Sequence, residues 1–600
     1  MPATRITVAL NSNRSQKAPL LVPGDTDADT EALKSLIIKF AQTKLRLKKA
    51  SRIFVSGTGQ ELVDDKDWKD ILHNDVVVQV SAGEPYIGLE KKHTPSSTGQ
   101  DHDSDMTSSP ACTITNLAQI TPIDPISLTQ LETTARTIPG IIHAVGQPDL
   151  HPGTKFPIGA VFVSKDWIHP PLIGSDIGCG MAWYKTTLSR QQVEGDKGRR
   201  VAERLRGLEG PWRTQADREV WLSDSDDSSS PTAVEIVSAG EQWDKSLGTI
   251  GAGNHFAELQ VVEAYSPSLS SSSSTPLLTP STVLLLIHSG SRGYGGDILK
   301  RHSTLPGTTS LHASTPAATA YLTEHDRACA WARRNRDLIA LRFLACIEPG
   351  EDVWAIGTAN DGSSSSSPLD PTTIRTASAS LRARQVVDIW HNAVTKTAWP
   401  PSPVPLPSQP QSPPPPPTHH ETFIHRKGAA PTLIPSPSPT GSQTDSSPTP
   451  YPIIPLPGSR ATPTLILTPL FPTSTQYGAH NALSLAHGAG RAMSRAKAAT
   501  WVAGKYHGRT EALLSGGGGT RGTTRGAVEG MDMDVDMEME RGRGVHGGSW
   551  VVCEDKGLVW EEAGEAYKDV WSVMDDLVRE GCAEGVGWCW GRVGYKVRKE

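Results

Sequence analysis

Four short segments of the chain each carry residues of the types that bind metal ions. They supply one carboxylate, one thiolate and three imidazoles: Asp176 and Cys179 in GSDIGCGM, His255 in GTIGAGNHF, His288 in LLLIHSGSRG and His391 in DIWHNAV. Taken singly, each histidine is more typical of a structural role, and the cysteine of a small buried apolar residue. Four such segments, each beside glycine, asparagine or serine, instead favour a metal site presented on loops.

The number of donors suggests more than one ion. Five donors exceed the four that one tetrahedral ion takes. A thiolate has enough lone pairs to bridge two ions, so the set is compatible with a dinuclear centre. Ligand softness alone favours zinc, because manganese prefers oxygen and nitrogen donors.

A further segment, SLAHGAGRAMSRAKA at 484–498, places His487 before a Gly-Ala-Gly turn. A basic stretch of helix-forming residues follows, which predicts a helix start here, and helix starts attract phosphate. Taken alone, the segment also fits a loop histidine at the mouth of an ordinary helix. Other basic residues near the candidate ligands add positive charge: Arg292, His425, Arg426, Lys427 and Arg491. Arginine and lysine neutralise phosphates during transfer, although each one alone also fits a surface turn.

The elements that would position these residues are buried strands that run into loops. VFVSKDW and STVLLLIHSGSRG have the apolar runs of such strands, and candidate ligands follow or end them. Low-complexity inserts, typical of disordered loops, separate the structured pieces. They lie at about 223–232, 264–281, 361–370, 398–420, 434–450 and 514–548. The intervening pieces are too short to be independent domains, so we expect one interrupted domain over 112–600 rather than several linked small domains.

The first 88 residues read as a separate small unit. RITVAL predicts a strand, residues 30–47 have helical spacing of apolar residues, and RIFVSG, DDKDWKDIL and VVVQVS predict strand, short helix and strand. This order resembles a β-grasp domain of the ubiquitin-like or doublecortin-like kind. Residues 89–111 form a polar linker.

The composition limits the compartment and the partners. Of the 600 residues, 37% are hydrophobic, and the net charge of −6 gives no overall attraction to nucleic acid. RNA binding therefore requires local basic patches. Seven scattered cysteines, an odd number, fit a reducing compartment and not a disulfide framework. No apolar run is long enough to span a membrane, and the N-terminus lacks a signal-peptide core, so we expect a soluble protein of the cytoplasm or the nucleus.

Nine segments, in chain order, resemble the RtcB family of RNA ligases. They are QPDLHPGTKFPIGAVF, GSDIGCGM, GTIGAGNHFAELQ, HSGSRGYG, WHNAV, HRKGAAPT, PGSR, SLAHGAGRAMSR and EEAGEAYKD. AYLTEHDRACAWARRNRDLIA and the C-terminal GYKVRK also resemble the shorter, bacterial-type branch. The resemblance covers 113–600 apart from the inserts. A lone HGAGR would be a weak signal, whereas nine collinear segments are a strong one.

The resemblance implies an α+β fold of the RtcB type, with a β-rich core around a dinuclear metal site. It implies an enzyme of tRNA splicing or RNA repair, an RNA ligase that joins 3′-phosphate or 2′,3′-cyclic phosphate ends to 5′-hydroxyl ends. In this family a histidine attacks the α-phosphate of GTP, the guanylate passes to the RNA 3′-phosphate, and the 5′-hydroxyl then displaces GMP. The implied cofactors are GTP and two Mn²⁺ ions. Manganese here replaces the zinc that ligand softness alone favours.

Motif matches assign individual roles under this resemblance. His487 is the implied nucleophile, and Asp176, Cys179, His255, His288 and His391 are the implied metal ligands, with the thiolate bridging. The residues matched to GTP or GMP contacts are Asn254, Phe256, Glu258, Asn392, Ser459, Gly488, Arg491, Tyr567 and Lys596. Glu258 would accept hydrogen bonds from guanine, and Tyr567 would stack on it. The residues expected to contact phosphate or RNA are Arg292, His425, Arg426 and Lys427.

Two other functions fit part of the pattern. A dinuclear metal phosphoesterase acting on RNA ends would need the ligands but no guanine pocket, so His487, Glu258 and Tyr567 argue against it. A non-catalytic scaffold that binds RNA or protein would not need a complete ligand set. The expected partners are RNA with 3′-phosphate or cyclic phosphate and 5′-hydroxyl ends, an archease-like activator, and a protein partner of the N-terminal unit.

Overall fold

The computed structural model describes most of the chain but not all of it. The described residues are 4–11, 16–22, 30–56, 60–63, 76–84, 86, 112–223, 238–267, 276–303, 310–358, 369–401, 421–434, 449–460, 462–510, 514, 549–553 and 555–596. The predicted linker at 89–111, the predicted short helix in DDKDWKDIL and most of the six predicted inserts lie outside these residues.

The chain divides into two compact units, Met1–Ser108 and Ser109–Glu600. The first contains strands β1 (Thr4–Leu10), β2 (Lys17–Val22), β3 (Arg52–Val55) and β4 (Val76–Ser81) and helix α1 (Thr30–Lys44). The sheet order is β2-β1-β4-β3, with β1 parallel to β4 and the other pairs antiparallel. Apolar residues of α1 and the sheet form one core. Its assignment as a ubiquitin-like or doublecortin-like domain stays a prediction.

The second unit is rich in strands. They are β5 (Thr113–Asn116), β6 (Ile141–His151), β7 (Ile158–Lys165), β8 (Trp167–Ile168), β9 (Gly180–Lys185), β10 (Phe256–Tyr265), β11 (Val283–Ser289), β12 (Leu311–His312), β13 (Gln385–Trp390), β14 (Asn392–Lys396), β15 (Thr422–Lys427), β16 (Ala429–Pro431), β17 (Ile454–Pro457), β18 (Thr464–Pro469), β19 (Ser484–Ala486), β20 (Trp550–Val552) and β21 (Ala583–Tyr595). An eight-stranded sheet has the order β13-β9-β11-β10-β21-β18-β17, with β20 beside β21, and a five-stranded sheet has the order β14-β15-β7-β6-β5. Two short pairs, β8–β12 and β16–β19, complete the strand pairing.

Helices cover these sheets. They are α2 (Pro125–Thr137), α3 (Arg190–Val193), α4 (Gly195–Arg204), α5 (Gln215–Ser223), α6 (Glu241–Asp244), α7 (Arg292–Ser303), α8 (Pro316–Ile347), α9 (Pro371–Arg384), α10 (Arg495–Lys505), α11 (Lys556–Glu561) and α12 (Val570–Arg579). Short 3₁₀ segments lie at Pro170–Leu172, Asp352–Gly357, Thr473–Gly478 and Gly564–Ala566. The mixture of sheets and helices confirms the predicted α+β class. Within the described residues, no helix has the length and apolar character that crossing a membrane requires.

The eight-stranded sheet lies between two apolar cores, and successive side chains of a strand point alternately to one core and the other. In β11, Leu284 and Leu286 belong to one apolar core, and Leu285 and Ile287 to another. Helix α8 contributes to the second core through residues such as Leu338. The long, almost uninterrupted apolar run of β11 that the sequence shows is explained by this two-sided burial.

Candidate active site and metal centre

The metal-donor residues lie at one edge of the eight-stranded sheet. Strand β9 is antiparallel to both β11 and β13, and β10 is antiparallel to β11, so the starts of β9 and β10 lie beside the ends of β11 and β13. The donors occupy these positions: Asp176 and Cys179 precede β9, His255 precedes β10, His288 is next to last in β11 and His391 follows β13. Antiparallel pairing therefore collects residues that are distant in the chain.

The donor atoms are close enough to share metal ions. Sγ of Cys179 lies 3.3, 3.4 and 3.2 Å from the Nε2 atoms of His255, His288 and His391. The Nε2 atoms of His288 and His391 are 3.2 Å apart, and Oδ2 of Asp176 is 2.7 Å from Nε2 of His255. With metal–ligand bonds of about 2.0–2.3 Å, ligands of one tetrahedral ion are about 3.3–3.7 Å apart. The spacing around Cys179 matches that of a metal site.

The protonation states of the donors also suit a cation. Burial lowers the pKa of His288 and of His391 well below the ordinary range, so both imidazoles are neutral and keep a lone pair for an ion. Burial and the neighbouring Asp176 carboxylate raise the pKa of the Cys179 thiol well above its ordinary range. A thiolate at this position therefore needs a positive neighbour to offset the cost of burying its charge.

Hydrogen bonds orient the site for an ion. Nδ1 of His255 lies 3.1 Å from the carbonyl oxygen of Ile250, which fixes the proton on Nδ1 and leaves Nε2 free to act as a ligand. Oδ1 of Asp176 is buried and has no hydrogen-bond partner among the described residues. A buried carboxylate oxygen without a donor is satisfied by a bound cation. The five residues thus fit a metal ion by spacing, protonation and unfilled acceptor capacity.

His487 lies beside this cluster. His487 directly follows β19, which pairs with β16. The residue before β16, Gly428, donates its N–H to the His391 carbonyl over 2.9 Å. This strand pair therefore brings His487 close to His391. The His487 ring centroid is 4.7 Å from that of His391 and 6.5 Å from that of His288. Nδ1 of His487 donates to Oδ2 of Asp149 over 2.8 Å. The proton on Nδ1 leaves Nε2 with a free lone pair for nucleophilic attack.

Lys568 and Gly490 fix the position of Asp149 beside His487. The site-residue predictions did not include any of Asp149, Lys568 and Gly490. Nζ of Lys568 donates to the carbonyl oxygens of Pro148 and Leu150, over 3.1 and 2.7 Å. Gly490 has φ +68°, and a Cβ there would lie 2.2 Å from the Asp149 carbonyl oxygen. Both Asp149 and Lys568 lie in segments quoted for the family resemblance, so the only signal for them was that resemblance.

The prediction that a helix starts directly after the Gly-Ala-Gly turn is wrong. Helix α10 begins at Arg495, and Ser494 caps it by accepting a hydrogen bond from the N–H of Lys497. The preceding residues cannot continue the helix, because the backbone of Arg491 pairs with Tyr567 in a β-bridge. The helix N-terminus therefore does not lie at the Gly-Ala-Gly turn, and the Arg491 side chain, which lines the same cavity as His487, supplies positive charge instead.

A cavity opens beside His487, and most residues predicted to contact the nucleotide line it. They are Asn254, Phe256, Glu258, Ser459, Gly488, Arg491, Tyr567 and Lys596. Asn392 is not among the lining residues. Its Nδ2 donates to the Asp176 carbonyl, and its Oδ1 accepts from the N–H of Gly428, so it braces the donor segments.

Glu258 is the buried acid of this cavity. Burial raises its pKa to about 7, against the opposing effect of a hydrogen bond from Nε2 of Gln260. A Cβ on Gly591 would lie 2.4 Å from the Glu258 carboxyl group, so only glycine leaves room for it. Glu258 therefore lines the cavity from β10 as a carboxyl group that ionises close to neutral pH.

Glu562, which the sequence predictions omitted, gathers the polar groups on another side of the cavity. Its carboxylate accepts from Nη1 of Arg491 (3.2 Å) and from the Tyr567 hydroxyl, and it lies 3.5 Å from Nε of Arg495 and 3.7 Å from Nζ of Lys596. Its side chain is 1% exposed, so these contacts are only weakly screened by water. Its contacts with Arg491 and Arg495, which lie 71 and 67 positions earlier in the chain, cannot be read from local spacing.

The four residues predicted to contact phosphate or RNA fall into two groups. Arg292 and Lys427 lie near the donor segments: the Arg292 guanidinium fills the space that a Cβ on Gly251 would occupy, and Nζ of Lys427 is 3.5 Å from the Cβ position of Gly174. The other two, His425 and Arg426, are buried and bound to protein groups. Nε2 of His425 accepts from the N–H of His169, and Nε of Arg426 donates to Ser484 Oγ. Neither lines the cavity.

Comparison with known proteins identifies a family and several relatives of this chain. The family model described as "tRNA-splicing ligase RtcB" matches residues 130–229, 222–354 and 371–516. The chain is 31% identical over 463 residues to "RNA-splicing ligase RtcB2" of Escherichia coli, covering 76% of this chain and 89% of that protein. It is 25% identical over 503 residues to "RNA-splicing ligase RtcB" of Mycobacterium tuberculosis, covering 75% of this chain and 96% of that protein. It is also similar to "RNA-splicing ligase RtcB homolog 1" of Entamoeba dispar, with 24% identity, 61% of this chain and 68% of that protein.

Proposed function

The chain belongs to the RtcB family of tRNA-splicing ligases, and from this premise we propose that it is a GTP- and Mn-dependent RNA ligase. It joins 3′-phosphate or 2′,3′-cyclic phosphate ends to 5′-hydroxyl ends. The observation that carries the proposal is the position of His487, whose ring borders both the metal-donor cluster and the cavity while its Nδ1 is bound to Asp149. A nucleophile between a cation site and a pocket is what transfer of a nucleotidyl group needs.

The residues that would hold two Mn²⁺ ions are Asp176, Cys179, His255, His288 and His391. Imidazole and carboxylate groups are suitable ligands for manganese. The choice of this metal rests on the family resemblance. Cys179 would be the central ligand of this set, since its sulfur is in contact with all three imidazoles. When bound, the ions supply positive charge that neutralises and orients the phosphate oxygens.

His487 performs the covalent step. The lone pair of Nε2 attacks the α-phosphorus of GTP, a new N–P bond forms, and the bond from phosphorus to the pyrophosphate oxygen breaks. The ring becomes positively charged, and the Asp149 carboxylate stabilises it through the Nδ1–H hydrogen bond. An oxygen of the RNA 3′-phosphate then attacks the same phosphorus and releases His487. The 5′-hydroxyl of the second RNA end finally attacks the 3′-phosphate, loses its proton and displaces GMP.

Glu258 determines the selectivity for guanine over adenine. Ionised, its carboxylate accepts from N1–H and the N2 amino group of guanine, both of which are donors. Adenine presents no N1–H and no N2 amino group, so its binding would leave a buried carboxylate unpaired, at a large cost. Tyr567 supplies a ring for the base, and Arg491 supplies charge for the phosphates.

The RNA ends would meet Lys427 and Arg292. Burial lowers the pKa of Lys427. Its ammonium group has no hydrogen-bond or ion-pair partner among the described residues, so it is available to a phosphate. Arg292 follows the His288 segment and donates to Thr249 Oγ1 over 3.4 Å. His425 and Arg426 would contribute to the same region by supporting β15, on which Lys427 lies.

Transfer of label from α-³²P-GTP tests the proposal. Purified chain with Mn²⁺ should acquire covalent label that survives alkali and is lost in acid, as a phosphorus–nitrogen bond is. His487→Ala should abolish the label. His480→Ala is the matched control, because His480 pairs with Glu580 and does not line the cavity, so it should keep the label. Wild-type chain with bound Mn²⁺ that takes up no label would contradict the ligase proposal.

Two further expectations belong to the same proposal. A dinuclear phosphoesterase would open cyclic phosphates without GTP and would leave His487 unlabelled, so the labelling experiment separates the two activities.

An archease-like activator and a protein partner of the N-terminal unit stay proposals. If an activator is needed, added archease should raise the rate of labelling. Location in the cytoplasm or the nucleus stays a prediction from the sequence.

A further inference from the structure

Helix α8 places two consecutive buried residues, Asn335 and Arg336, against the segments that carry the metal donors. Both side chains are fully buried. Nη1 of Arg336 donates to the carbonyl oxygens of Gly178 (3.0 Å) and Ser289 (3.1 Å). Gly178 directly precedes Cys179, and Ser289 directly follows His288. One guanidinium nitrogen therefore joins two donor segments that belong to different strands.

Other contacts of the pair reach the other two donor segments. Nε of Arg336 donates to Oδ1 of Asp388 over 2.7 Å, and Asp388 lies in β13, which leads directly into His391. Oδ1 of Asn335 accepts from the N–H of Gly248 over 2.7 Å, in the loop that leads to His255.

A relay of hydrogen bonds also connects Asn335 with the His255 ring. Nδ2 of Asn335 donates to Ser289 Oγ over 3.2 Å, Ser289 Oγ donates to the Ile250 carbonyl over 2.8 Å, and the same carbonyl accepts from Nδ1 of His255 over 3.1 Å. This last bond is the one that directs Nε2 of His255 to the donor cluster. Asn335 thus influences the orientation of a metal-donor ring without touching it.

Close packing of α8 makes these contacts short. Gly178 has φ +72°, and a Cβ there would lie 2.8 Å from Cα of Cys329 and 3.0 Å from Cβ of Ala332, both on α8. The absence of a side chain lets the loop before Cys179 lie directly on the helix backbone. The helix therefore serves as a rigid support for a loop that would otherwise have more freedom.

We propose that Asn335 and Arg336 are positioning residues for the metal centre, which we call the α8 clamp. The clamp holds the four donor segments in place before an ion arrives, so that binding does not have to order them. This inference rests on the proposed metal site and goes beyond it, because neither residue contacts a donor atom. The clamp predicts that metal affinity depends on contacts made by α8 to the backbone of the donor segments.

The chain offers a matched control two residues away. Arg334 is also a buried arginine of α8, and its guanidinium donates to the Trp221 carbonyl and to Ser378 Oγ. Trp221 and Ser378 lie in α5 and α9, which carry no donor residue. Arg334→Lys and Arg336→Lys therefore remove comparable buried contacts, and only the second change affects the donor segments.

The test measures binding of Mn²⁺ by calorimetry and the absorption of the Co²⁺-loaded chain, which reports the bond between cobalt and thiolate. Arg336→Lys should weaken Mn²⁺ binding by about 10- to 100-fold, the usual range for residues that orient ligands, and should alter the thiolate band. Arg334→Lys should match it in melting temperature yet bind Mn²⁺ like the wild type. Equal affinity in Arg336→Lys and the wild type, or equal losses in both variants, would overturn the clamp.

If Arg336→Lys does not fold, a milder variant, Asp388→Asn, tests the α8 clamp instead. Asp388→Asn keeps an acceptor for Nε of Arg336 but removes the charge, and it should weaken Mn²⁺ binding by a smaller factor in the same direction. Unchanged Mn²⁺ affinity in folded Asp388→Asn would overturn the clamp. A wild-type chain that binds neither Mn²⁺ nor Co²⁺ would instead overturn the proposed metal site, and the clamp with it.

Discussion

Asp149 and His487, which are 338 positions apart in the chain, are joined by a 2.8 Å hydrogen bond from Nδ1 to Oδ2. An asparagine at 149 can present its amide nitrogen to Nδ1 and so favour the wrong tautomer of the ring. We expect Asp149→Asn to slow labelling of His487 by about 10²- to 10⁴-fold, as such changes do in related hydrogen-bonded pairs. Single-turnover labelling with α-³²P-GTP measures the rate.

The same variant should bind GTP nearly as well as the wild type, because Asp149 does not line the cavity. Equilibrium binding measured beside the labelling rate separates the two effects. Wild-type labelling in Asp149→Asn would show that the carboxylate has no part in activating the ring. A large loss of GTP affinity would show that the change disturbs the cavity instead.

GTP binding should weaken below pH 7 because of Glu258. Burial raises the pKa of this carboxyl group to about 7, and the protonated form offers guanine one acceptor fewer. Affinity should fall by up to about tenfold for each pH unit below that value. Glu258→Gln should bind GTP weakly but with little dependence on pH beyond that of the phosphates, which makes it the control. A wild-type profile as flat as that of Glu258→Gln would contradict the role of the carboxylate.

The raised pKa of Glu258 should also affect stability, with a definite sign. Its folded pKa of about 7 exceeds the ordinary value of 4.5, so the native state binds more protons between these two pH values. The stabilising contribution is complete below pH 4.5 and is lost as the pH rises to 7. Thermal unfolding should therefore show Glu258→Gln gaining stability relative to the wild type between pH 5 and pH 8. A constant difference would contradict the shift.

Gly490 should tolerate no side chain. Its φ is +68°, and a Cβ would meet the carbonyl oxygen of Asp149 at 2.2 Å. Gly490→Ala should therefore destabilise the fold by about 1–3 kcal/mol and displace Asp149 from His487. Gly504, in α10, has open space around its Cβ position, so Gly504→Ala should be neutral or stabilise by up to about 1 kcal/mol. Chemical denaturation and labelling of His487 measure both variants.

The clustering of the candidate metal donors was predictable because their chemistry is visible in residue type and their position follows from strand ends. His288 ends an apolar run, and antiparallel pairing then fixes which other strand ends lie beside it. The partners of these groups were not predictable in the same way. Asp149, Lys568 and Glu562 acquire their roles by contacts with residues distant in the chain, and nothing in their local spacing indicates those contacts.

The basic residues of HRKGAAPT show the limit of reasoning from closeness in sequence. His425, Arg426 and Lys427 are consecutive and were predicted to share a phosphate-binding role. In strand β15 the side chain of Arg426 points to the face opposite its two neighbours, and it binds Ser484 and the Leu483 carbonyl. His425 is buried against Phe162 and His169, and only Lys427, at the end of the strand, approaches the donor segments.

Removal of residues 1–111 should leave labelling of His487 intact. The apolar core of the N-terminal unit consists of its own residues, from Ile6 to Val80. The first strand of the second unit, β5, starts at Thr113 and pairs with β6, so the shortened chain keeps every described strand of that unit. Labelling rate and Mn²⁺ affinity should equal those of the full chain, while any capture of a protein partner by residues 1–88 should be lost. A shortened chain that folds, as judged by cooperative thermal unfolding, but no longer labels would show that the N-terminal unit contributes to the active site.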